Sequence, residues 1–370
     1  MKRNTIIGQL LRLPQLLIVP MTLILVSFAK KSPELVESIY STGFYPIVRD
    51  VISKFTRIVP FSLAEISVYS CAILIAAFLF IKLIRLITLK KGALLGLVSF
   101  VITIALTAGY LLSAFYLLWG LNYYRLPAAD KLDLPSREYS TAELESLCVE
   151  LARNANELRE QLDEDEDGVF TVSMSELRSS VVEAYKNFGT QKPSFKADVP
   201  TVKSIMLSET FSQLGITGIY VFLTEEPNIN VNEPCLYLPH AAAHETAHYL
   251  GYAAEEDANF IAFLVCIASD SPSLTYSGYV HALTHCGNAL AKVDRDAYSR
   301  VYSTYTEGLK RDFRNYSEHY RKYADTEIMQ ASENLNDSYL KANDQEKGIA
   351  SYEEDVALIL RYYDSIGFFG

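Results

Sequence analysis

The sequence predicts a mainly α-helical protein in two parts. Residues 1–128 read as a membrane anchor of three transmembrane helices, and 129–370 as a helical domain with a small β-sheet or hairpin. Three observations carry this. Half of the 370 residues are apolar, more than soluble chains of this length usually show. Charge divides between the parts: residues 1–128 hold 13 Lys and Arg against 4 Asp and Glu, net +9, while 129–370 hold 20 against 40, net −20. Finally, residues 239–260 place histidines and carboxylates at helical spacing.

Three apolar stretches define the anchor, about 13–29, 66–86 and 93–118. A spanning helix needs about 20 mostly apolar residues to cross about 30 Å of hydrocarbon. The second and third meet this. The first is short, Pro20 interrupts it, and a signal peptide is its alternative reading, without a clear small-residue cleavage site. Lys2, Arg3 and Arg12 precede the first stretch, and Lys82, Arg85, Lys90 and Lys91 lie between the second and third, so both ends belong on the cytoplasmic side. The 30–65 loop is nearly neutral and suits the outer face. Three spans then put everything after Leu118 outside, a multi-pass plasma-membrane protein with an extracytoplasmic domain. Trp119, Tyr123 and Tyr124 fall at the exit interface. The lipid bilayer is thus an expected partner. Nucleic acid is excluded as one, because a domain of −20 repels phosphates.

In the second part, Ser140 and Glu143 form a capping-box pattern ahead of Leu144, Leu147, Leu151 and Leu158. A second helix is expected over 175–188, and a hairpin or small sheet over 216–238. Pro239 opens another helix, and further helices are expected near 257–269, 275–292, 295–323 and 350–365. Asp163, Asp165 and Asp167 before Gly168 resemble half of a calcium loop, but Met174 stands where the bidentate carboxylate is needed, so the run reads as a solvated acidic turn. Cys71, Cys148, Cys235, Cys266 and Cys286 form no CxxC pair, and their pairing is open.

The chemistry concentrates in His244-Glu245-Thr246-Ala247-His248, an HExxH. Residues four apart on a helix share a face, so both imidazoles reach one metal ion. Glu245 then lies beside the ion, where a general base takes a proton from bound water. Zn2+ needs a third protein ligand and an open fourth position. Gly251 ends the helix in a left-handed turn, Glu255 follows as an acidic ligand, and Asn259, one turn on, is placed to orient the same site. Glu256 and Asp257 are the alternative third ligands. His281 and His285 are also four apart but have no acid between them, and read as structural or substrate-facing.

The segments WGLNYYR, GIYVFLTEEPNINVN, HETAHYLGYAAEEDANFIAFLVC and NDSYLKANDQEKGIASYEEDV resemble an uncharacterised bacterial family of membrane-anchored, zincin-like proteins of unknown function. The resemblance spans nearly the whole chain. It implies a zinc peptidase with a glutamate third ligand, as in gluzincins, with Glu255, Ala258 and Asn259 on the gluzincin pattern. Members often carry Glu where this chain has Asp257. The resemblance further implies that the strand Gly218, Ile219, Tyr220, Val221 and Phe222 binds substrate backbone. Candidate oxyanion donors are Tyr220, Tyr237, His281 and His285.

The expected function is a membrane-anchored zinc metallopeptidase acting on a peptide or protein substrate. One alternative is a non-catalytic, zinc-stabilised membrane scaffold. An intramembrane metalloprotease is the other; it fits less well, because the motif lies more than 100 residues past the last span and Phe260–Ala268 is too short to cross.

Overall fold

A computed structural model describes residues 12–88, 93–324, 326–343 and 354–370. Lys2, Arg3, Lys90 and Lys91, which bear on orientation, lie outside the described residues, as do residues 350–353 of the expected last helix and much of the C-terminal block of the resemblance.

The chain begins with a 3-10 stretch, Leu13–Leu17, continued by helix α1, Ile18–Ala29. Pro20 is no interruption, because it falls in the first turn of α1, where a missing N–H costs nothing. The stretch 13–29 is not a separate straight span, however. Pro33 restarts the helix after Ser32, and the pair Leu13–Ala29 and Pro33–Thr56 bends by 103°. Helix α2, Pro33–Thr56, includes a π-helical stretch over Val36–Phe44 and occupies most of the expected 30–65 loop. Its polarity is inverted. Tyr45, Arg49, Ser53 and Thr56 face inward, while Ile39, Ile47, Val51 and Phe55 are exposed. A loop was expected because that inward face mixes polar and aromatic residues, which hides the apolar period.

Two further helices, α3 at Leu63–Ile87 and α4 at Ala93–Leu118, are long and apolar enough to cross a membrane, and the bent pair makes up to three such spans. Ser62 caps α3 by accepting from the Glu65 N–H at 3.0 Å. Buried hydroxyls of Thr22 and Ser113, 2.7 Å apart, join α1 to α4.

Helix α5, Thr141–Arg159, opens with the expected capping box, and α6 is Met174–Gln191. Between them the acidic run makes a tight turn at Gly168 (φ +71°). Asp165 accepts from the N–H of Asp167 and of Val169, and Arg159 and Arg311 both donate to the Gly168 carbonyl. Two guanidinium groups against the turn make a poor setting for a further cation.

The sheet has three strands, β1 (Lys203–Ser204), β2 (Gly218–Val221) and β3 (Glu226–Ile229), in the order β1-β3-β2. The hairpin β2–β3 is antiparallel, with Gly218 opposite Ile229; β1 joins β3 in parallel and is too short to read from sequence. A short helix α7, Ser208–Gln213, precedes β2. Beyond the sheet come α8 (Leu238–Tyr249), α9 (Glu255–Ile267) and α10 (Pro272–Val293). The expected helix 295–323 is two, α11 (Arg295–Ser303) and α12 (Glu307–Arg321). Asn156 causes the break: it accepts from the Thr306 N–H and donates to the Thr304 carbonyl, both at 2.9 Å. Helix α13, Glu327–Ala342, buries only Met329 and Leu340, too little to show a period. The last helix, α14, is Glu354–Ser365.

The main core lies between α5, α6, α8, α9 and α10, around Leu147, Leu151, Tyr185, Phe260, Phe263 and Leu283. A second cluster ties Tyr45, Trp119 and Tyr124 of the N-terminal part to Ala253. All five cysteines are free.

Candidate metal centre

Helix α8 carries the centre and is buried along its length. Ala242 and Ala243 have no exposed surface, and Tyr185 donates to the Ala243 carbonyl at 2.6 Å. The small side chains let α8 sit against the sheet and α10. Ser277 of α10 clamps its start by accepting from the His240 N–H at 3.1 Å.

His244, His248 and Glu255 offer ligand atoms that all lie within 4.8 Å of one another. Glu255 reaches both imidazoles, 3.3 Å from His244 Nε2 and 3.6 Å from His248 Nε2. The turn that brings Glu255 back uses Gly251 at φ +87°, a left-handed conformation where a side chain is strained. Any Cβ at Gly251 would also meet Tyr45 at 2.8 Å. The same turn aims the Tyr252 carbonyl at His248 Nδ1, 2.7 Å away, which leaves Nε2 as the outward nitrogen. Arg125 holds the turn from behind. It donates to the Leu250 carbonyl at 3.2 Å, pairs with buried Glu37 of α2 at 3.0 Å, and lies 4.0 Å over the Tyr252 ring.

Burial works against a charged His244, but the bond to Glu255 and its charge lift the imidazole to about 9. Burial and the His244 charge push His248 down to about 4. Burial resists the ionised Glu255, yet the two histidines hold it below the usual carboxylate range. These three groups compete for one proton, and a divalent cation satisfies the same set of donor atoms. Glu245 lies beside them, buried, raised to about 8 by desolvation and the Glu255 charge. It fits against β2 so closely that a Cβ on Gly218 would stand 2.6 Å from Glu245 Oε1.

Asn259 is buried on α9 and its side chain faces His244, favouring the charged ring, although its Nδ2 makes no hydrogen bond. Asp257 is not a ligand: it turns away and accepts from the Ala128 N–H at 3.0 Å. Glu256 is outside the ligand cluster and lines a cleft with Asn122, Tyr123 and Arg125. Gly218 to Val221 form an edge strand beside Glu245, whereas Phe222 lies past its end and packs on Phe115. Tyr220 cannot serve as a free donor, because its hydroxyl binds Glu225 and Tyr45 while its ring packs on Trp119 and His248. Tyr237 is taken by Thr284 at 2.7 Å. His281 and His285 stack on each other, and His285 pairs with Asp355, an acid from far along the chain rather than from between them.

Sequence reasoning missed four residues. His240 extends the HExxH face one turn back, a spacing visible in the sequence, and stacks on His281 with centroids 3.6 Å apart. Tyr123 and Tyr339 bring their hydroxyls to 3.1 Å, both within the field of Glu255. They are 216 residues apart, so no local pattern could have paired them. Glu225 has no exposed surface, sits at φ +53°, and is pushed by burial up to about 8.

Glu225 supplies a pH test. Its folded-state value lies above the ordinary 4.5, so its stabilising form is the neutral one, and that contribution is lost as pH rises from about 4.5 to about 8. Glu225→Gln is therefore expected to match the wild type at low pH and to gain stability across that window, by on the order of a few kcal/mol. Thermal melts of the full-length pair from about pH 5 to about pH 9 measure this, and a gap that stays constant with pH contradicts it.

No curated protein and no solved structure matches the chain. One family model does, over residues 40–360; it is described as a protein of unknown function, DUF3810.

Proposed function

Taking as premise that the chain belongs to the DUF3810 family, whose description assigns no activity, we propose that it is a membrane-anchored zinc metallopeptidase. The convergence of His244, His248 and Glu255 carries this reading, with Glu245 on the same helix and the edge strand β2 alongside. Two imidazoles and one carboxylate are the donors of a three-ligand catalytic zinc site. When bound, zinc supplies Lewis acidity toward a peptide carbonyl and a water of lowered pKa.

The chain's own groups account for the rest. An extended peptide added to the outer edge of β2 is held in register by backbone hydrogen bonds. Gly218 has no side chain there, so its backbone and the bound peptide both come close to Glu245. Glu245 takes the proton from the attacking water and returns it to the departing amine nitrogen. The Tyr339 hydroxyl, which accepts from Tyr123 and lies in the field of Glu255, is the candidate donor to the developing oxyanion. Asn259 and the Tyr252 carbonyl fix the orientation of the two imidazoles. With the bent pair of α1 and α2, α3 and α4 as three spans and the basic flanks inside, this site lies on the outer face of the plasma membrane.

Metal analysis tests the centre directly. The full-length protein in detergent is expected to retain zinc through gel filtration. His248→Ala is expected to lose that ion while keeping its helical circular dichroism. Equal zinc in both forms would reject the site.

A further inference from the structure

A second set of metal-ligand side chains stands on other helices, and the proposed hydrolysis does not use it. His281 and His285 are one turn apart on α10, the same spacing as His244 and His248 on α8. Asp355 reaches them from α14, and the donor atoms of the three all lie within 4.8 Å of one another. Asp355 is 1% exposed, and among the described residues neither of its oxygens has a hydrogen-bond partner beyond one ion pair. Its ion-pair partner is His285 Nδ1, at 2.8 Å. A buried carboxylate is costly to keep charged unless it is paired and its lone pairs are used. One imidazole gives one positive charge and one N–H, which leaves most of that capacity unmet. His281 is stacked between His285 at 4.3 Å and His240 at 3.6 Å. A divalent cation meets every requirement at once.

We propose that His281, His285 and Asp355 form a second zinc-class site whose ion pins α14 to α10. Nitrogen and carboxylate donors of this kind suit Zn2+ or Co2+, whereas Ca2+ and Mg2+ take all-oxygen sets. The site is separate from the HExxH cluster, and it stands whether or not the protein hydrolyses peptides. Its role is structural: the C-terminal helix closes over the core, and the ion neutralises the charge that this closure buries.

Zinc stoichiometry of the full-length protein in detergent tests it, after chelation and reloading. About two ions per chain are expected in the wild type, about one in His248→Ala and about one in Asp355→Asn. Asp355→Asn is also expected to lower the melting temperature of the zinc-loaded protein, but not that of the chelated protein. Should Asp355→Asn unfold, Co2+ added to folded His248→Ala decides alone, because visible d–d bands in that background report the second site. A wild type with one ion that Asp355→Asn retains, or no Co2+ bands in folded His248→Ala, overturns the proposal and leaves a plain Asp–His ion pair. A single ion that Asp355→Asn loses and His248→Ala retains overturns the hydrolytic centre instead, so the two failures are distinguishable.

Discussion

Glu245→Gln is expected to keep its zinc and fold while losing peptide hydrolysis by roughly 100- to 10,000-fold, the usual contribution of a positioned general base. The change is close to isosteric, which matters because the side chain is wedged against Gly218 and has no room to move. Gln also removes a carboxylate that burial already disfavours, so stability is expected to hold or rise. What is lost is only the ability to accept a proton. Wild type and variant should therefore be compared on a peptide library at equal zinc content. Equal turnover would remove Glu245 from the chemistry, and no turnover by either form would favour the non-catalytic scaffold.

Removing residues 1–128 is expected to do more than release a soluble domain: the remaining 129–370 fragment should fail to fold cooperatively. Glu226 of β3 is 2% exposed and accepts from the Ala64 N–H, and its partner Lys203 donates to the Thr56 and Phe61 carbonyls. The Tyr45 hydroxyl lies 2.9 Å from the Tyr249 carbonyl, to which it donates, and 3.2 Å from Glu225. Arg49 covers the Tyr249 ring at 4.8 Å, and Arg125 braces the Gly251 turn. Each of these hydrogen bonds contributes about 0.5–1.5 kcal/mol net, and about 1–3 kcal/mol where a buried polar group is left unmet, so together they are comparable with a total stability of about 5–15 kcal/mol. Circular dichroism melts and limited proteolysis of the fragment measure this. A sharp transition near that of the full chain would contradict it.

These two expectations mark where the sequence was legible and where it was not. Short-range signals were readable. Four-residue spacing placed His244 and His248 together, Gly251 announced the return of the chain, and Ser140 with Glu143 announced α5. Proline was only partly readable: Pro239 opens α8 as expected, while Pro20 does not break α1 and Pro33 starts the bent helix α2. The partners of the centre were not legible. Tyr339 and Tyr45 reach it from segments far along the chain, Tyr45 on a helix whose inward face is polar and aromatic and Tyr339 on one that buries only Met329 and Leu340, so hydrophobic periodicity, which reports apolar burial, is blind to them. The choice among adjacent acids turned on two residues of register, and only the fold separates Glu255, aimed at two imidazoles, from Asp257, aimed at the Ala128 N–H.

The inside-out polarity of α2 has a mechanical consequence. Ile39, Ile47 and Phe55 point outward from the same helix whose Tyr45 hydroxyl grips the Tyr249 carbonyl at the end of the HExxH helix. If that apolar side rests among acyl chains, a change in bilayer thickness or lateral pressure that shifts it pulls on the seat of Tyr45 at the end of α8, so the surrounding lipid would bear on the posture of the helix that carries His244 and His248.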